Sequence, residues 1–468
     1  MLQIKYAYFL GIGGIGMSAI ARYFNATGIT VCGYDKTPSD LTDELTAEGI
    51  DITFTDSEDT IPEFIFNHKN ETLIVYTPAI PANHVQFNFL KNNEYQLHKR
   101  SEVLGIISND AYCIAVAGTH GKTTTSTLIA HILHECNINF TAFLGGISAN
   151  YNTNYLHKTD GRNLFPDKNI VVLEADEFDR SFHRLKPDAA IITAIDPDHL
   201  DIYGSAEEFN QAFVEFSKKI KSDGLLIAQK DLHKTWPENL KQYSYGLNGG
   251  TNTDFNGRFE CVLNGNFRFG FEGKGMYPSK LEHIHCGLPG FHNIENATAA
   301  LALTLNVLNL PENEVTKALA SFRGAKRRFE YVVKTENKIV IDDYAHHPQE
   351  LNAIIGSVKE LYPNKKLTAI FQPHLFTRTR DFADGFAESL SKPDETILMD
   401  IYPARELPIE GITSEWLLSK INSKNKILMM PHEIIEYVQA NRPELLLILG
   451  AGDIDRLVPK IKEVYHGI

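Results

Sequence analysis

Residues Tyr112-Cys113-Ile114-Ala115-Val116-Ala117-Gly118-Thr119-His120-Gly121-Lys122-Thr123-Thr124 run from an apolar strand, through a glycine turn, into the start of a helix. Two glycines let the backbone curl so that successive N–H groups face one point, and the helix adds its positive N-terminal end there. Lys122 then supplies a charge for β- and γ-phosphates, and the Thr123 hydroxyl a ligand for Mg²⁺. Gly118, Thr119, His120, Gly121, Lys122, Thr123 and Thr124 are therefore the candidate triphosphate (ATP-type) binding residues. Leu128, Ile129, Ile132 and Leu133 recur at helical spacing behind the loop, which is the context such a loop requires. The loop is a short variant: the glycine usually found five places before the Gly-Lys pair is Val116 here.

The chain around this loop has 468 residues, more than one core accommodates, so several domains are expected. Its five cysteines (Cys32, Cys113, Cys136, Cys261, Cys286) include no Cys-x-x-Cys pair, which points to reduced thiols and not to a disulfide framework. The N-terminus enters a strand-like run at Ile4 to Leu10 without a signal-type stretch, and no apolar run reaches membrane-spanning length, so a cytoplasmic protein is expected. The net charge of −14 argues against nucleic acid as a partner. An anionic substrate must then be held by local cations and helix ends against the overall field.

Three blocks follow one another, each opening with a strand that leads into a loop rich in functional residue types. The first runs Tyr6 to Leu10, then Gly11-Ile12-Gly13-Gly14-Ile15-Gly16, then a helix with Met17, Ile20, Ala21 and Phe24 on one face. A second strand, Thr30 to Tyr34, ends at Asp35, where a dinucleotide fold places its ribose-binding acid. A nicotinamide cofactor is one reading of these glycines. The complete triphosphate loop in the next block favours another: the same backbone geometry holds any diphosphate, including that of a UDP-linked substrate. Gly11, Gly13, Gly14, Gly16 and Asp35 are assigned to such a substrate.

The second block adds strands Ile170 to Leu173, ending at Glu174, and Ala189 to Ile195, ending at Asp196. Beyond them, Cys261 to Phe269 reads as a hairpin about Asn264-Gly265, predicting a mixed sheet. Helices are expected from about Asn293 to Leu308 and from about Glu312 to Ser321. The third block alternates strands Lys338 to Asp342, Leu367 to Phe371, Thr396 to Met399 and Leu445 to Leu449 with helices, and polar residues come straight after each strand. Ligands of open parallel sheets bind outside the carboxyl ends of the strands. Three such edges lining one cleft would make a composite site.

Within these edges, Glu174-Ala175-Asp176-Glu177-Phe178-Asp179 places four carboxylates at a strand end near the triphosphate loop, where a carboxylate can complete the oxygen shell of Mg²⁺, with Mn²⁺ as a substitute. Asp198-His199-Leu200-Asp201 offers His199 as a further metal ligand. His292-Asn293-Ile294-Glu295-Asn296 carries two amides suited to a base edge, or to capping the helix that follows. Lys326-Arg327-Arg328 is a basic segment at a block boundary, and an arginine delivered at a closing interface can stabilise a transferring phosphoryl group. Tyr344, His346, His347, His374, Arg378 and Arg380 could orient a carboxylate or an amine.

Taken together these segments resemble the Mur ligase family. The resemblance rests on Gly11 to Met17, Gly118 to Thr123, Glu174 to Glu177, His292-Asn293-x-x-Asn296, Asp343 to Pro348, Phe371 to His374, Asp400 to Glu406 and Gly450 to Asp453, in that order along nearly the whole chain. It implies an α/β protein of three domains: a Rossmann-like domain for the UDP-substrate over 1–107, a central P-loop ATPase-type domain with a mixed sheet over 108–322, and a Rossmann-like amino-acid domain over 323–468. It is narrowest to the branch that joins L-alanine to the lactyl carboxylate of UDP-N-acetylmuramate in peptidoglycan precursor synthesis, using ATP and Mg²⁺ through an acyl phosphate. The branch that attaches a recycled tripeptide is the nearest alternative; an oxidoreductase or an ATP-driven module without ligase activity is more remote.

The roles it implies are Lys122 on the phosphates; Thr123, Glu174 and His199 around the metal; Asn293 and Asn296 near adenine, with His292 also in the ATP site; and Arg327 on the nucleotide phosphates. Tyr344, His346 and His374 are implied at the amino acid, and Arg378 and Arg380 at the UDP-substrate. His346 or His199 is the candidate base for the amine. Two departures stand out. Leu375 occupies a position where relatives often carry arginine, which leaves Arg380 as a possible replacement, and Phe213 stands where other branches carry a carbamylated lysine.

Overall fold

Parallel strands with helical crossovers build most of the chain, as the alternation of apolar runs with amphipathic segments predicts. The computed structural model describes residues 4–196, 200–232, 234–249, 253–263, 265–404 and 406–466. The chain divides into two compact units, one of Met1–Asn256, Glu272–Ser279 and Thr298–Ala318, the other of Gly257–Phe271, Lys280–Ala297 and Leu319–Ile468.

The first unit opens with a five-stranded parallel sheet in the order Asp51–Thr53, Thr30–Tyr34, Tyr6–Leu10, Thr72–Tyr76, Leu97–Lys99. Its central strand is buried from Ala7 to Leu10, and the helix Ile15–Ala26 lays Met17, Ile20, Ala21 and Phe24 into the core. A second sheet orders Lys241–Leu247, Leu225–Gln229, Ala189–Ile192, Tyr112–Ala117, Ile170–Ala175, Phe140–Ser148 and Thr153–Lys158. These strands are parallel except for the last, which pairs antiparallel and makes the sheet mixed. One continuous apolar core, including Phe9, Phe24, Phe143, Phe182 and Phe213, runs through both sheets.

A buried polar tie joins them as well. Arg22 donates to Asn154 at 2.6 Å, and Asn154 in turn donates to Ser18 Oγ at 2.8 Å. Arg22 is only 5% exposed, and Glu44 and Glu48 balance its charge, as a buried guanidinium requires.

In the second unit a six-stranded sheet runs Glu330–Lys334, Ile339–Asp343, Leu445–Leu449, Leu367–Phe371, Glu395–Leu398, Lys426–Leu428. Only the first pair is antiparallel. The buried run Leu445–Leu449 is apolar at every position, as a central parallel strand covered on both faces should be. The hairpin strands Phe255–Leu263 and Asn266–Gly273 are present; Asn264 of their turn lies outside the described residues.

Element ends differ from expectation by a few residues, for identifiable reasons. The strand expected to reach Ile195 stops at Ile192: Thr193 N–H still reaches the Ala117 carbonyl at 3.0 Å, but the Ala194 carbonyl then accepts from Thr119 N–H of the glycine loop, which has left the strand direction. The helix expected from about Asn293 to Leu308 spans Phe291–Thr304; past it, Leu308 N–H bonds back to Leu303 and Asn309 takes a left-handed φ of 54°. No helix among the described residues is long and apolar enough to cross a membrane.

Candidate functional site

Three neighbouring parallel strands set up the first cluster. Tyr112–Ala117 pairs with Ile170–Ala175 on one side (Val116 opposite Glu174) and with Ala189–Ile192 on the other (Ala117 opposite Ile192), so all three release their following loops at one sheet edge. The loop over Gly118–Gly121 adopts left-handed backbone at both glycines (φ 132° and 81°), which side chains resist. A Cβ at Gly118 would also lie 2.2 Å from Thr193 Oγ1. Thr193 and Thr119 brace the loop from the neighbouring strand end: Thr193 Oγ1 donates to the His120 carbonyl, and Thr119 N–H to that of Ala194 at 3.0 Å. His120 lies 3.4 Å from Asp196.

At the head of the helix Lys122–Glu135, the Lys122 ammonium donates to the Gly118 carbonyl at 2.6 Å and to both Glu177 oxygens at 2.9 and 2.8 Å. The two side chains are 12% and 4% exposed. Burial alone would lower the Lys122 pKa, but Glu177, Glu174 and Asp176 together raise it, so the ammonium stays charged. Burial pushes the Glu177 carboxyl up while Lys122 holds it down. Thr123 Oγ1 donates to Glu174 Oε2 at 2.7 Å, placing two hard oxygens side by side. Gly145 packs against that carboxylate so closely that a Cβ there would sit 2.0 Å from Glu174 Oε2.

These residues fit a triphosphate with a hard divalent cation: a left-handed glycine cradle, a charged lysine and a hydroxyl–carboxylate pair. Among the described residues no group of three His, Cys, Asp or Glu side chains forms a metal site by itself. His199 lies outside the described residues.

The glycine loop of the first sheet lies in the same unit. Gly11 has φ 85°, and Gly13 N–H donates to Asp35 Oδ2 at 2.7 Å. Asp35, expected at a ribose, thus braces the glycine turn. The Arg100 guanidinium lies against Gly16 and pairs with Asp176 at 3.0 Å, while Lys99 pairs with Asp179, also at 3.0 Å. The acidic run 174–179 therefore contributes a partner to Thr123, Lys122, Arg100 and Lys99 in turn. Its reversal uses left-handed backbone at Asp179 and Arg180.

The second cluster forms at the carboxyl edge of Ile339–Asp343, Leu445–Leu449 and Leu367–Phe371 in the other unit. His346 Nδ1 lies 2.9 Å from the Tyr344 carbonyl and 3.4 Å from Glu350 Oε2. A carbonyl oxygen can only accept, so the proton resides on Nδ1 and Nε2 keeps its lone pair. Burial pushes the His346 pKa down to about 4, and Arg378 and Arg328 lower it further while Glu350 opposes them. The His374 ring lies 5.9 Å from that of His346 and stacks on Tyr402 at 5.7 Å; Arg378, 8% exposed, reaches His374 Nδ1 at 3.4 Å. Arg380 does not join them: it is exposed and paired with Asp381 at 2.7 Å. Leu375, with φ 68°, ties its N–H to the Tyr402 carbonyl at 2.9 Å.

Arg327, itself at φ 60°, is clamped by Asp342 (3.2 Å), the Gly450 carbonyl and Asp455 (3.4 Å), and its guanidinium lies 5.3 Å from the Tyr344 ring. Arg328 lies 5.0 Å from the same ring. Burial pushes Asp342 up to about 7 and Asp343 up to about 6, with Arg327 and Arg328 respectively opposing. Asn293 turns inward and donates to the Pro289 carbonyl at 2.7 Å, and Asn296 donates to the Asn293 side-chain oxygen at 3.5 Å. His292 is buried enough that its pKa falls to about 4.

A glycine-lysine triphosphate loop beside a carboxylate cluster, on an α/β framework of three sheets, defines a class of nucleotide-dependent α/β enzymes. Family models agree: the Mur ligase catalytic domain matches residues 6–112, the middle domain 116–304 and the glutamate ligase domain 327–452, so the chain belongs to the Mur ligase family. It is 47% identical over 462 residues to the UDP-N-acetylmuramate–L-alanine ligase of Christiangramia forsetii, covering 98% of each chain. The protein of the same name from Porphyromonas gingivalis is 47% identical over 98% of this chain and 99% of its own. Among solved structures, the UDP-N-acetylmuramate–alanine ligase of Thermotoga maritima aligns with a TM-score of 0.80 at 27% identity, covering 99% of both chains. A murein peptide ligase from Psychrobacter arcticus shares the fold at a TM-score of 0.68 and 21% identity.

Proposed function

We propose that this chain joins L-alanine to the lactyl carboxylate of UDP-N-acetylmuramate, at the expense of ATP, in cytoplasmic peptidoglycan precursor synthesis. The observation that carries this reading is similarity over the full chain, all three family regions included, to ligases named for that reaction. In the same reading, residues 1–107 take the UDP-substrate, 108–322 the nucleotide and 323–468 the amino acid.

A carboxylate is a poor electrophile towards an amine in water, and ATP supplies the activation: the carboxylate oxygen takes the γ-phosphoryl group with ADP leaving, and the amine then attacks the acyl carbon with phosphate leaving. The residues of this chain contribute position and charge. Lys122, kept cationic by its carboxylate neighbours, would hold phosphate oxygens, with the glycine cradle supplying N–H donors. Thr123 and Glu174 would hold Mg²⁺, with His199 as a third ligand; Mn²⁺ also suits oxygen donors. Arg327 is the arginine assigned to phosphoryl charge. Arg378, beside His374, is assigned to the substrate carboxylate.

His346 is assigned as the base for the alanine ammonium, since its Nε2 holds a lone pair and makes no hydrogen bond among the described residues. The test is product mass. Incubation with ATP, UDP-N-acetylmuramate and L-alanine should yield the alanyl conjugate, whereas exclusive turnover of a tripeptide would move the chain to the recycling branch.

A further inference from the structure

Glu350 sits where a carboxylate can serve two purposes, and only one of them is structural. It is the third residue of the helix Pro348–Leu361, and its Oε2 accepts from the backbone N–H of His346 at 2.9 Å and of His347 at 3.2 Å. Capping of this kind satisfies donors that the first helical turn leaves open. The same oxygen, however, lies 3.4 Å from Nδ1 of His346, the ring atom that also faces the Tyr344 carbonyl. Nδ1 therefore has two acceptors within 3.4 Å, and the carboxylate is only 14% exposed. A capping residue needs no such approach to an imidazole.

We infer that Glu350 is a positioning residue for the reaction: its carboxylate fixes the Nδ1–H tautomer of His346 and supports the positive charge that the ring acquires when Nε2 takes a proton from the incoming amine. The inference rests on His346 being the base, as proposed above. The proton moves from the ammonium nitrogen to Nε2, the Nδ1–H bond persists, and the resulting imidazolium is balanced by the Glu350 carboxylate.

The groups that face the ring define what the carboxylate must offset. Arg378 and Arg328 both disfavour an imidazolium there, His374 lies ring to ring at 5.9 Å, and Arg328 also approaches Glu350 Oε1 at 3.8 Å. Glu350 is the anion acting on His346 from the other direction. Without it the ring would sit among cations alone and make a weaker base.

Glu350→Gln separates the two purposes, because the amide oxygen still caps the helix while the charge is gone. The expected result is a kcat lowered about 10- to 100-fold, a part of the roughly 10²–10⁴ that general-base catalysis supplies, since the base itself remains. KM for ATP and UDP-N-acetylmuramate and the unfolding temperature should be unchanged, and the acidic limb of the pH profile should move to lower pH. Glu350→Asp, which keeps the charge, should recover part of the loss. Parental kcat and an unmoved pH profile in Glu350→Gln would overturn the inference and leave Glu350 as a cap only. His346→Ala separates the two levels: if it is inactive while Glu350→Gln is normal, only this inference falls; if it turns over normally, the base assignment falls and takes this inference with it.

Discussion

Replacing Lys122 by alanine perturbs both chemistry and stability, and the structure gives a magnitude for each. Lys122 and Glu177 are 12% and 4% exposed, so truncating the lysine strands a carboxylate that water barely reaches. The carboxylate can escape by taking up a proton. From an ordinary value of 4.5, that costs about 3.4 kcal/mol at pH 7, at 1.36 kcal/mol per unit. This caps the contribution of the stranded carboxylate at about 3.4 kcal/mol, the lower end of what breaking a buried pair typically costs.

The sign with pH follows. The stranded carboxyl has a folded-state pKa raised above its unfolded one, so the stability it contributes is fully present below pH 4.5 and is lost as pH rises through the folded value. The deficit of Lys122→Ala should therefore vanish near pH 4 and grow towards pH 7. Adding Glu177→Gln removes the buried charge, so the double variant should regain most of the stability. It should not regain activity, because the phosphate contact is still missing and such contacts typically give about 10²–10³ in rate. Denaturant titration across pH, alongside phosphate release, reads both quantities. A Lys122→Ala protein as stable as the parent at pH 7, or a double variant with restored turnover, would refute the reasoning.

Other expectations follow from the same geometry. Gly145→Ala places a Cβ 2.0 Å from Glu174 Oε2 and should pull that carboxylate from Thr123, raising the Mg²⁺ concentration needed for half-maximal turnover; an unchanged Mg²⁺ titration would count against Glu174 as a metal ligand. Arg378→Ala should cost about 10² or more in kcat/KM, whereas Arg380→Ala, which loses only an exposed pair with Asp381, should be near parental. His131, His292 and His346 all have pKa values pushed down by burial to about 4, against 6.5 unfolded. The unfolded chain thus binds more protons between those values, stability should rise with pH over that window, and His292→Gln should reduce the slope measured by equilibrium unfolding.

Much of this arrangement was legible in the sequence, and the limits have physical causes. The triphosphate loop could be read because left-handed glycines, a lysine and a threonine at fixed spacing serve one chemistry. The four carboxylates of 174–179 could be read as a cluster, but not which of them meets Lys122: that depends on the reversal at Asp179 and Arg180, where Asp tolerates left-handed backbone but Arg180 gives no sign of it. Gly145 and Thr193 carry no motif, because they act by packing against Glu174 and Gly118, and packing partners lie far apart in the chain.

Asp35 and Asn293 each bond a nearby backbone group in this structure, a use of short polar side chains that the sequence cannot separate from a ligand contact. Arg378 and Arg380 look alike in sequence, but two positions along a helix point to different faces, so one is buried beside His374 and the other meets solvent. A glutamate at the third position of a helix opened by His347-Pro348 is legible as a cap; its approach to the His346 ring is not, because that depends on how the His346 side chain folds back towards the Tyr344 carbonyl.

The most direct test of the account is phosphate release from ATP with each co-substrate omitted in turn. Turnover should require UDP-N-acetylmuramate and L-alanine together and fall to background without either. Sustained release with one of them absent would contradict it.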